Sequence, residues 1–195
     1  MTKMKISILF SVCIFFLLIT PVTGQVMESL IFRINAGAGF TIIDMPTAFE
    51  WNENYFDDWD KVNVKVNLQC EFLEFSSLRL GAEVGYNRLY YYYVRVPWVP
   101  SDLIYEATVT PVNVSALATY SINDNLFIQA AAGPYFFDSG TVLGLKGTLG
   151  YRIPVGENMA VPISVVGDLI TGEGTPFSIG VTVGLEFKLK LSQTK

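Results

Sequence analysis

The sequence contains no histidine, only two cysteines among 195 residues, and few charged side chains, which make up 16% of the total. Without histidine, imidazole-based catalysis and histidine-ligated metal sites are excluded. Soluble domains usually carry about 25% charged residues, so this chain is short of the groups that keep a surface in water. The net charge of −5 argues against nucleic acid as a partner, because phosphate contacts need clustered Lys and Arg.

The first residues have the three-part pattern of a secretory signal peptide. A basic start precedes an apolar run from Ile6 to Ile19, and small residues suited to cleavage follow. The run is shorter than the roughly 20 residues that a membrane-spanning helix needs. We therefore expect residues 1–24 to be a cleaved signal peptide. Residues 25–195 would then form one domain with a single cysteine, Cys70, and no internal disulfide.

After residue 24 no long apolar run occurs, and apolar residues alternate with polar ones. Between Phe177 and Leu189, every odd-numbered residue is apolar and every even-numbered residue is Gly, Ser, Thr, Glu or Lys. Successive side chains of a strand point to opposite faces, so this pattern predicts strands with one apolar face. It predicts eight of them, near residues 30–43, 60–73, 77–92, 105–122, 126–137, 141–154, 160–171 and 177–190.

Eight neighbouring strands favour a closed barrel, because an open sheet leaves two unpaired edges. A soluble lipocalin-like barrel would turn its apolar face inward around a small apolar ligand, whereas a membrane barrel turns it toward lipid. The polar face here is rich in glycine and mixes charges of both signs, which suits a narrow interior. We expect no charge on the apolar face. The sequence therefore predicts an all-β, eight-stranded, antiparallel up-and-down transmembrane β-barrel.

The polar faces supply a candidate network of charges in the interior. Its members are Arg33, Lys65, Glu71, Arg79, Glu83, Lys146, Arg152, Asp168, Glu186 and Lys188. Glu71 and Arg79 flank one tight turn and are expected to face each other across neighbouring strands. Buried ion pairs that fill the barrel are one interpretation, and a gated ion path is the other. Eight strands leave an interior just wide enough for side chains, which disfavours a free channel.

Aromatic residues collect near one end of the predicted barrel. We expect them to form a belt at the membrane interface, where apolar rings with polar tips are favoured. Pro111 and Pro134 are expected at the same end, where ladder hydrogen bonds can lapse. The aromatic residues concerned are Tyr90, Tyr91, Tyr92, Tyr93, Trp98, Tyr105, Tyr135, Phe136 and Phe137.

Over nearly all of its length after residue 24, the chain resembles the small outer-membrane β-barrel family of Gram-negative bacteria, the OmpA/OmpX-like type. Thr182, Gly184, Phe187 and Leu189 match the family's C-terminal pattern of polar, x, Gly, x, x, aromatic, x, hydrophobic. The resemblance implies outer-membrane lipid as surroundings and recognition by the barrel-assembly machinery. The residues 190–195 that follow the pattern are a departure, since many relatives end at a terminal Phe.

The resemblance also implies that the termini and tight turns are periplasmic and that the long connections face outward. It then divides the interior charges into a lower cluster and an upper one. The lower cluster holds Arg33, Glu71, Arg79, Arg152, Glu186 and Lys188. The upper cluster holds Lys65, Glu83, Lys146 and Asp168.

The chain is expected to be non-enzymatic and to need no cofactor, because the acyl-processing and omptin-like members of such barrels use a histidine base. The connection at 44–59 is acid-rich, but its spacing does not match a calcium loop and no metal is predicted. Its side chains could instead bind an extracellular protein or glycan. The candidates are Trp51, Tyr55, Asp57, Asp58 and Trp59. We expect a structural or surface-interaction role, with a narrow ion-conducting pore or a secreted lipocalin-like binder as alternatives.

Overall fold

The computed structural model describes residues 29–43, 62–94, 104–138, 140–171 and 176–190. The expected signal peptide at 1–24 lies outside these residues. No helix long and apolar enough to cross a membrane occurs among them. They form nine strands: β1 (Ser29–Ile43), β2 (Asn63–Phe75), β3 (Leu78–Val94), β4 (Ile104–Val109), β5 (Val112–Ser121), β6 (Leu126–Phe137), β7 (Gly140–Gly156), β8 (Met159–Ile170) and β9 (Pro176–Lys190).

The strands close into a barrel with antiparallel pairing throughout. Each pairs with its neighbours around the ring, and β1 pairs with β9 from Ser29↔Lys190 to Ile43↔Pro176. The short strands β4 and β5 occupy one position, since both pair with β3 in a single continuous register. They are separated at Pro111, which has no N–H to donate, although its carbonyl accepts from the Asn87 N–H at 3.1 Å. The fold is therefore the predicted eight-stranded barrel.

In β1–β3 and β5–β9, the apolar face of the side chains that the structure describes is turned outward. Ile34 and Val181 are each 52% exposed, whereas their inward neighbours Arg33 and Thr182 are 1% and 3% exposed. Polar side chains thus fill the interior and apolar ones cover the outside, as a lipid environment requires. A lipocalin-like barrel needs the opposite arrangement, so that alternative does not describe this chain.

Two rims follow from the connections. The tight-turn rim carries the turns at 76–77, 122–125 and 157–158, and the long-connection rim lies at the opposite end. Ser76 in the first turn has φ of 57°. These turns fix which strands are neighbours, because a short connection can join only adjacent antiparallel strands.

A β-bulge at the end of β2 corrects one predicted pair. The β2–β3 register shifts between Glu71 and Leu73, so Glu74 is the partner of Arg79 and Glu71 lies opposite Gly81. The expected pairing of Glu71 with Arg79 is therefore wrong. The extra residue of a bulge moves every later residue of that strand by one position relative to its partner.

Two expectations about the faces are also wrong. Arg88, between the buried Asn87 and Leu89, lies on the outward face that was expected to carry no charge. Tyr135 and Phe137 were expected in the interfacial belt, but Tyr135 points inward and is 2% exposed, and Phe137 packs against the buried cluster that contains Tyr135. Of the two prolines that were expected near the long connections, Pro111 is buried inside the barrel and Pro134 faces outward. The side chains of Tyr90–Tyr93, Trp98 and Tyr105 lie outside the described set.

Candidate functional site

The interior nearer the tight-turn rim holds a network built around two arginines. Arg33 on β1 donates through Nη1 to Glu71 on β2 and through Nε to Glu186 on β9. Arg152 on β7 reaches the same Glu186 oxygen at 3.0 Å. We call this group the tight-turn network; Thr119, Phe127 and Gln129 complete it. Two arginines balance two glutamates here, so the network adds no net charge to the interior.

An aromatic ring supports both guanidinium groups of the tight-turn network. The Phe127 ring centroid lies 5.2 Å from Cζ of Arg33 and 4.3 Å from Cζ of Arg152. Both distances fall within the range of cation–π attraction, which strengthens when the groups are shielded from water. Gly150 leaves the space that the ring occupies, since a Cβ there would overlap the ring atoms. The phenyl group therefore restricts the positions of both cations.

Uncharged side chains link the tight-turn network to the half of the interior nearer the long-connection rim. Gln129 donates to the Thr119 hydroxyl at 3.0 Å, and that hydroxyl donates to Glu71 at 2.5 Å. Gln69, which lies within 3.4 Å of Arg33 Nη1, donates to Glu83 at 2.8 Å. The two halves of the interior are thus joined by a continuous chain of hydrogen bonds.

The other half, which we call the long-connection network, is built around two lysines. Lys65 binds Asp168, and Lys146 binds Glu83. Asp168 also accepts from the hydroxyls of Tyr135 at 3.2 Å and Ser178 at 3.3 Å. Asn113 donates to the other acid, Glu83, at 3.2 Å. This network is again neutral, with two lysines against two acids.

An apolar cluster lies inside the barrel on the long-connection side. Its buried members are Leu89, Tyr135 and Ile170, and Val109, Phe137 and Val142 pack against them. Gly144 makes room for the Tyr135 ring, because a Cβ there would overlap it. The hydroxyl of Tyr135 joins the long-connection network while its ring belongs to the apolar cluster. The polar interior thus ends in a packed apolar layer on this side.

Very little space remains between the two networks. A cavity of about 10 Å³ is lined by residues of both, among them Arg33, Asn67, Gln129 and Lys146. A cavity needs roughly 10–15 Å³ to hold one water molecule. This cavity therefore has no room for a solute of the size of a sugar or an amino acid.

The remaining predicted site residues are distributed along the strands. At the tight-turn rim Arg79 binds Glu74 and lies 3.4 Å from the Ser29 hydroxyl, while Lys188 joins no ion pair with another described residue. The four residues of the assembly pattern lie on β9. Thr182 is buried and Leu189 is 51% exposed. Gly184 has the same strand phase as Thr182, and Phe187 has the same phase as Leu189. The five candidates of the partner-binding loop at 44–59 lie outside the described residues.

Sequence reasoning concentrated on charges and missed the neutral residues that connect them. These are Gln69, Asn113, Thr119, Phe127, Gln129, Tyr135 and Ser178. Their strand phase was the available signal. Gln69 and Ser178 share a face with the charges of β2 and β9, and Asn113, Thr119 and Gln129 lie on the polar faces of β5 and β6. Phe127 and Tyr135 were harder to assign, since an aromatic residue is equally expected on a lipid face.

No family profile and no curated protein matches the sequence. Among solved structures, Neisserial surface protein A matches with a TM-score of 0.53 at 13% identity, covering 83% of this chain and 97% of that one. A de novo designed transmembrane β-barrel (TM-score 0.44, 14% identity, 85% and 98% covered) and Ail, the attachment invasion locus protein of Yersinia pestis (0.45, 10%, 85% and 100%), also match. The likeness to the Neisserial protein shows that this chain has the fold of an outer-membrane eight-stranded β-barrel.

Proposed function

We propose that this protein is a non-enzymatic barrel of the Gram-negative outer membrane whose interior is closed by ion pairs. Its role would be structural or interactive, through the long connections. The observation that carries the proposal is that Arg33, Lys65, Lys146 and Arg152, all inside the barrel, each bind a carboxylate. In a barrel with no free lumen and with lipid around its apolar exterior, the long connections are the surface that can contact partners.

The outward face supports insertion into a lipid bilayer. Leu149 and Leu185, in the middle of β7 and β9, are 52% and 45% exposed. Tyr120 and Tyr151 are similarly exposed near the tight-turn rim, where the polar tip of a tyrosine can reach the headgroups. Apolar surface of this extent would cause association in water, whereas in lipid it is solvated. The outer membrane is the location we propose on this basis together with the fold.

The connections at 44–61 and 95–103 are the segments that we propose as partner-binding. Both leave the barrel at the long-connection rim. The first contains Trp51, Tyr55 and Trp59 beside Asp57 and Asp58. Aromatic residues beside acids suit contact with a protein or glycan. Thr182, Gly184, Phe187 and Leu189 are proposed to be read by the assembly machinery on the way to the membrane.

Heat-modifiable gel mobility tests membrane insertion directly. The full-length protein would be produced in a Gram-negative host, and outer-membrane fractions run unheated and boiled on a denaturing gel. We expect a compact band that changes mobility only after boiling, because closed barrels resist detergent. Recovery of the folded protein in the soluble fraction, without a shift, would overturn the proposal.

A narrow ion-conducting pore is the second candidate. It is favoured by the continuity of charged and polar side chains through both networks and by the small cavity between them. Planar-bilayer recording separates the two candidates. A closed barrel shows no unitary conductance, whereas a pore conducts and changes its conductance when Lys65→Met or Glu83→Gln removes a charge. The outward variant Val64→Ala serves as a control that leaves the interior unchanged.

A further inference from the structure

One charge departs from the division between polar interior and apolar exterior. Arg88 is the only charged residue among the outward-facing side chains that the structure describes in the strands. Its two chain neighbours, Asn87 and Leu89, are buried inside the barrel, which places the Arg88 side chain on the lipid-facing side. The residue itself is half-buried against its neighbours.

The height of Arg88 on the barrel places it at a membrane boundary. It pairs with Val64, the second residue of β2, and so lies level with the long-connection end of β2, while β3 itself continues six residues further to Val94. Just below it Tyr86 is 50% exposed, and beside it Val64 is 40% exposed. An arginine is strongly unfavourable at the bilayer midplane but nearly neutral at the interface. The contact proposed below therefore places the membrane boundary near the level at which β2 begins.

Arg88 also differs from the interior cations in its partners. Arg33, Lys65, Lys146 and Arg152 each bind a carboxylate. Arg88 has no ion pair with any other residue in the described part of the chain. On its face it is flanked by the valine and tyrosine already named, which offer apolar surface for the side-chain stem. Within the described part of the chain, the guanidinium group is therefore left without a carboxylate partner.

We infer that Arg88 binds the phosphate of an anionic lipid headgroup, an interaction that rests on the proposed insertion into the outer membrane. A guanidinium group matches phosphate with two parallel N–H···O hydrogen bonds, and it is less strongly hydrated than an ammonium. The protein is itself acidic, with a net charge of −5. Arg88, the one outward cation that the structure describes in the strands, therefore provides a specific contact for a lipid that the protein as a whole would repel.

Dipolar recoupling between carbon and phosphorus tests this contact. The full-length protein with ¹³C-labelled arginine would be reconstituted in bilayers of phosphatidylcholine and phosphatidylglycerol. We expect lipid ³¹P to dephase one guanidinium Cζ signal, and Arg88→Gln to remove that signal while the Arg33 and Arg152 signals stay undephased. An undephased Arg88 signal would overturn the inference.

Lipid retention gives a second measurement. Native mass spectrometry would count phosphatidylglycerol bound to the protein after extraction in detergent. Arg88→Gln is expected to lower the retained lipid about fivefold, the loss of one interfacial cation, and Arg88→Lys to lower it less because the charge remains. Lys190→Gln, which removes an equal charge at the tight-turn rim, should leave retention unchanged. Equal losses in the Arg88→Gln and Lys190→Gln variants would refute a specific site.

Heat-modifiable mobility measured on the same samples separates the two levels of the proposal. If the wild-type protein shows no mobility shift, the proposed membrane barrel fails. If the shift is present in wild type and Arg88→Gln while phosphorus dephasing is absent, only the lipid contact fails.

Discussion

The two interior networks reach neutrality by different means. In the tight-turn network the Arg33 guanidinium binds acids on two other strands at once and lies over an aromatic ring. In the long-connection network each lysine binds one carboxylate, and hydroxyl and amide groups supply the remaining contacts. A planar guanidinium donates in several fixed directions, whereas an ammonium is a compact charge. The first network therefore braces three strands through one group, and the second consists of separable pairs.

Arg33→Met is expected to have the largest effect. It removes the shared partner of Glu71 and Glu186 and leaves two buried carboxylates short of positive charge. The free energy of unfolding should fall by roughly 4–5 kcal/mol, the upper part of the range for a broken buried ion pair. Urea titration of the refolded barrel in lipid vesicles measures it. Arg33→Lys keeps the charge without the fork, so a stability close to that of wild type in this variant would contradict the bracing role of the guanidinium.

Lys65→Met should cost less, roughly 3 kcal/mol. It leaves only Asp168 without its cation, and that carboxylate keeps the hydroxyls of Tyr135 and Ser178. The same urea titration applies. The double variant Lys65→Met with Asp168→Leu removes both charges and should recover most of the loss, since an apolar pair of similar volume is often neutral. No recovery would mean that the pair is not separable.

Gly150→Ala tests the ring beneath the arginines. A Cβ at this position would overlap the Phe127 ring, and displacing a packed ring costs roughly 1–3 kcal/mol. Gly147→Ala is the matched control, because its Cβ would meet nothing within 4 Å. Equal unfolding free energies for the two variants would show that the ring can move without loss.

Tyr135→Phe should have the smallest effect. It removes one hydroxyl from Asp168 and leaves the ring in the apolar cluster. A hydrogen bond to a charged group contributes roughly 1.5–3 kcal/mol, and the lower value is expected because Lys65 remains. Tyr86→Phe on the outward face is the control and should be close to wild type. A larger loss for the outward variant would reverse the assignment of faces.

Alternation of apolar and polar residues predicted most of the fold. It identified the strands and their faces because side-chain direction depends only on the phase along the strand. It also placed Arg33, Glu71 and Glu186 on polar faces, where the structure joins them. What alternation does not contain is the exact register between strands.

The incorrect expectations concern features that the alternation within one strand does not determine. The partner of Arg79 depended on a one-residue bulge, and no local residue preference signals its position. Tyr135 was assigned to the membrane belt because its ring suits lipid, yet Gly144 on the neighbouring strand provides space inside. Arg88 was overlooked because one charge does not disturb the mean pattern of a long strand. Each of these depends on a second strand or on the bilayer, which the local pattern does not describe.

The seam between β1 and β9 also bears on the order of events during folding. Arg33 is synthesised 153 residues before Glu186, one of the carboxylates that it binds. The barrel therefore cannot close until its last strand is present, and the edge of β1 that pairs with β9 stays unpaired until then. Contacts so distant along the chain make folding slow and expose the intermediate to aggregation. A protein built this way depends on being kept apart from other chains until its synthesis is complete.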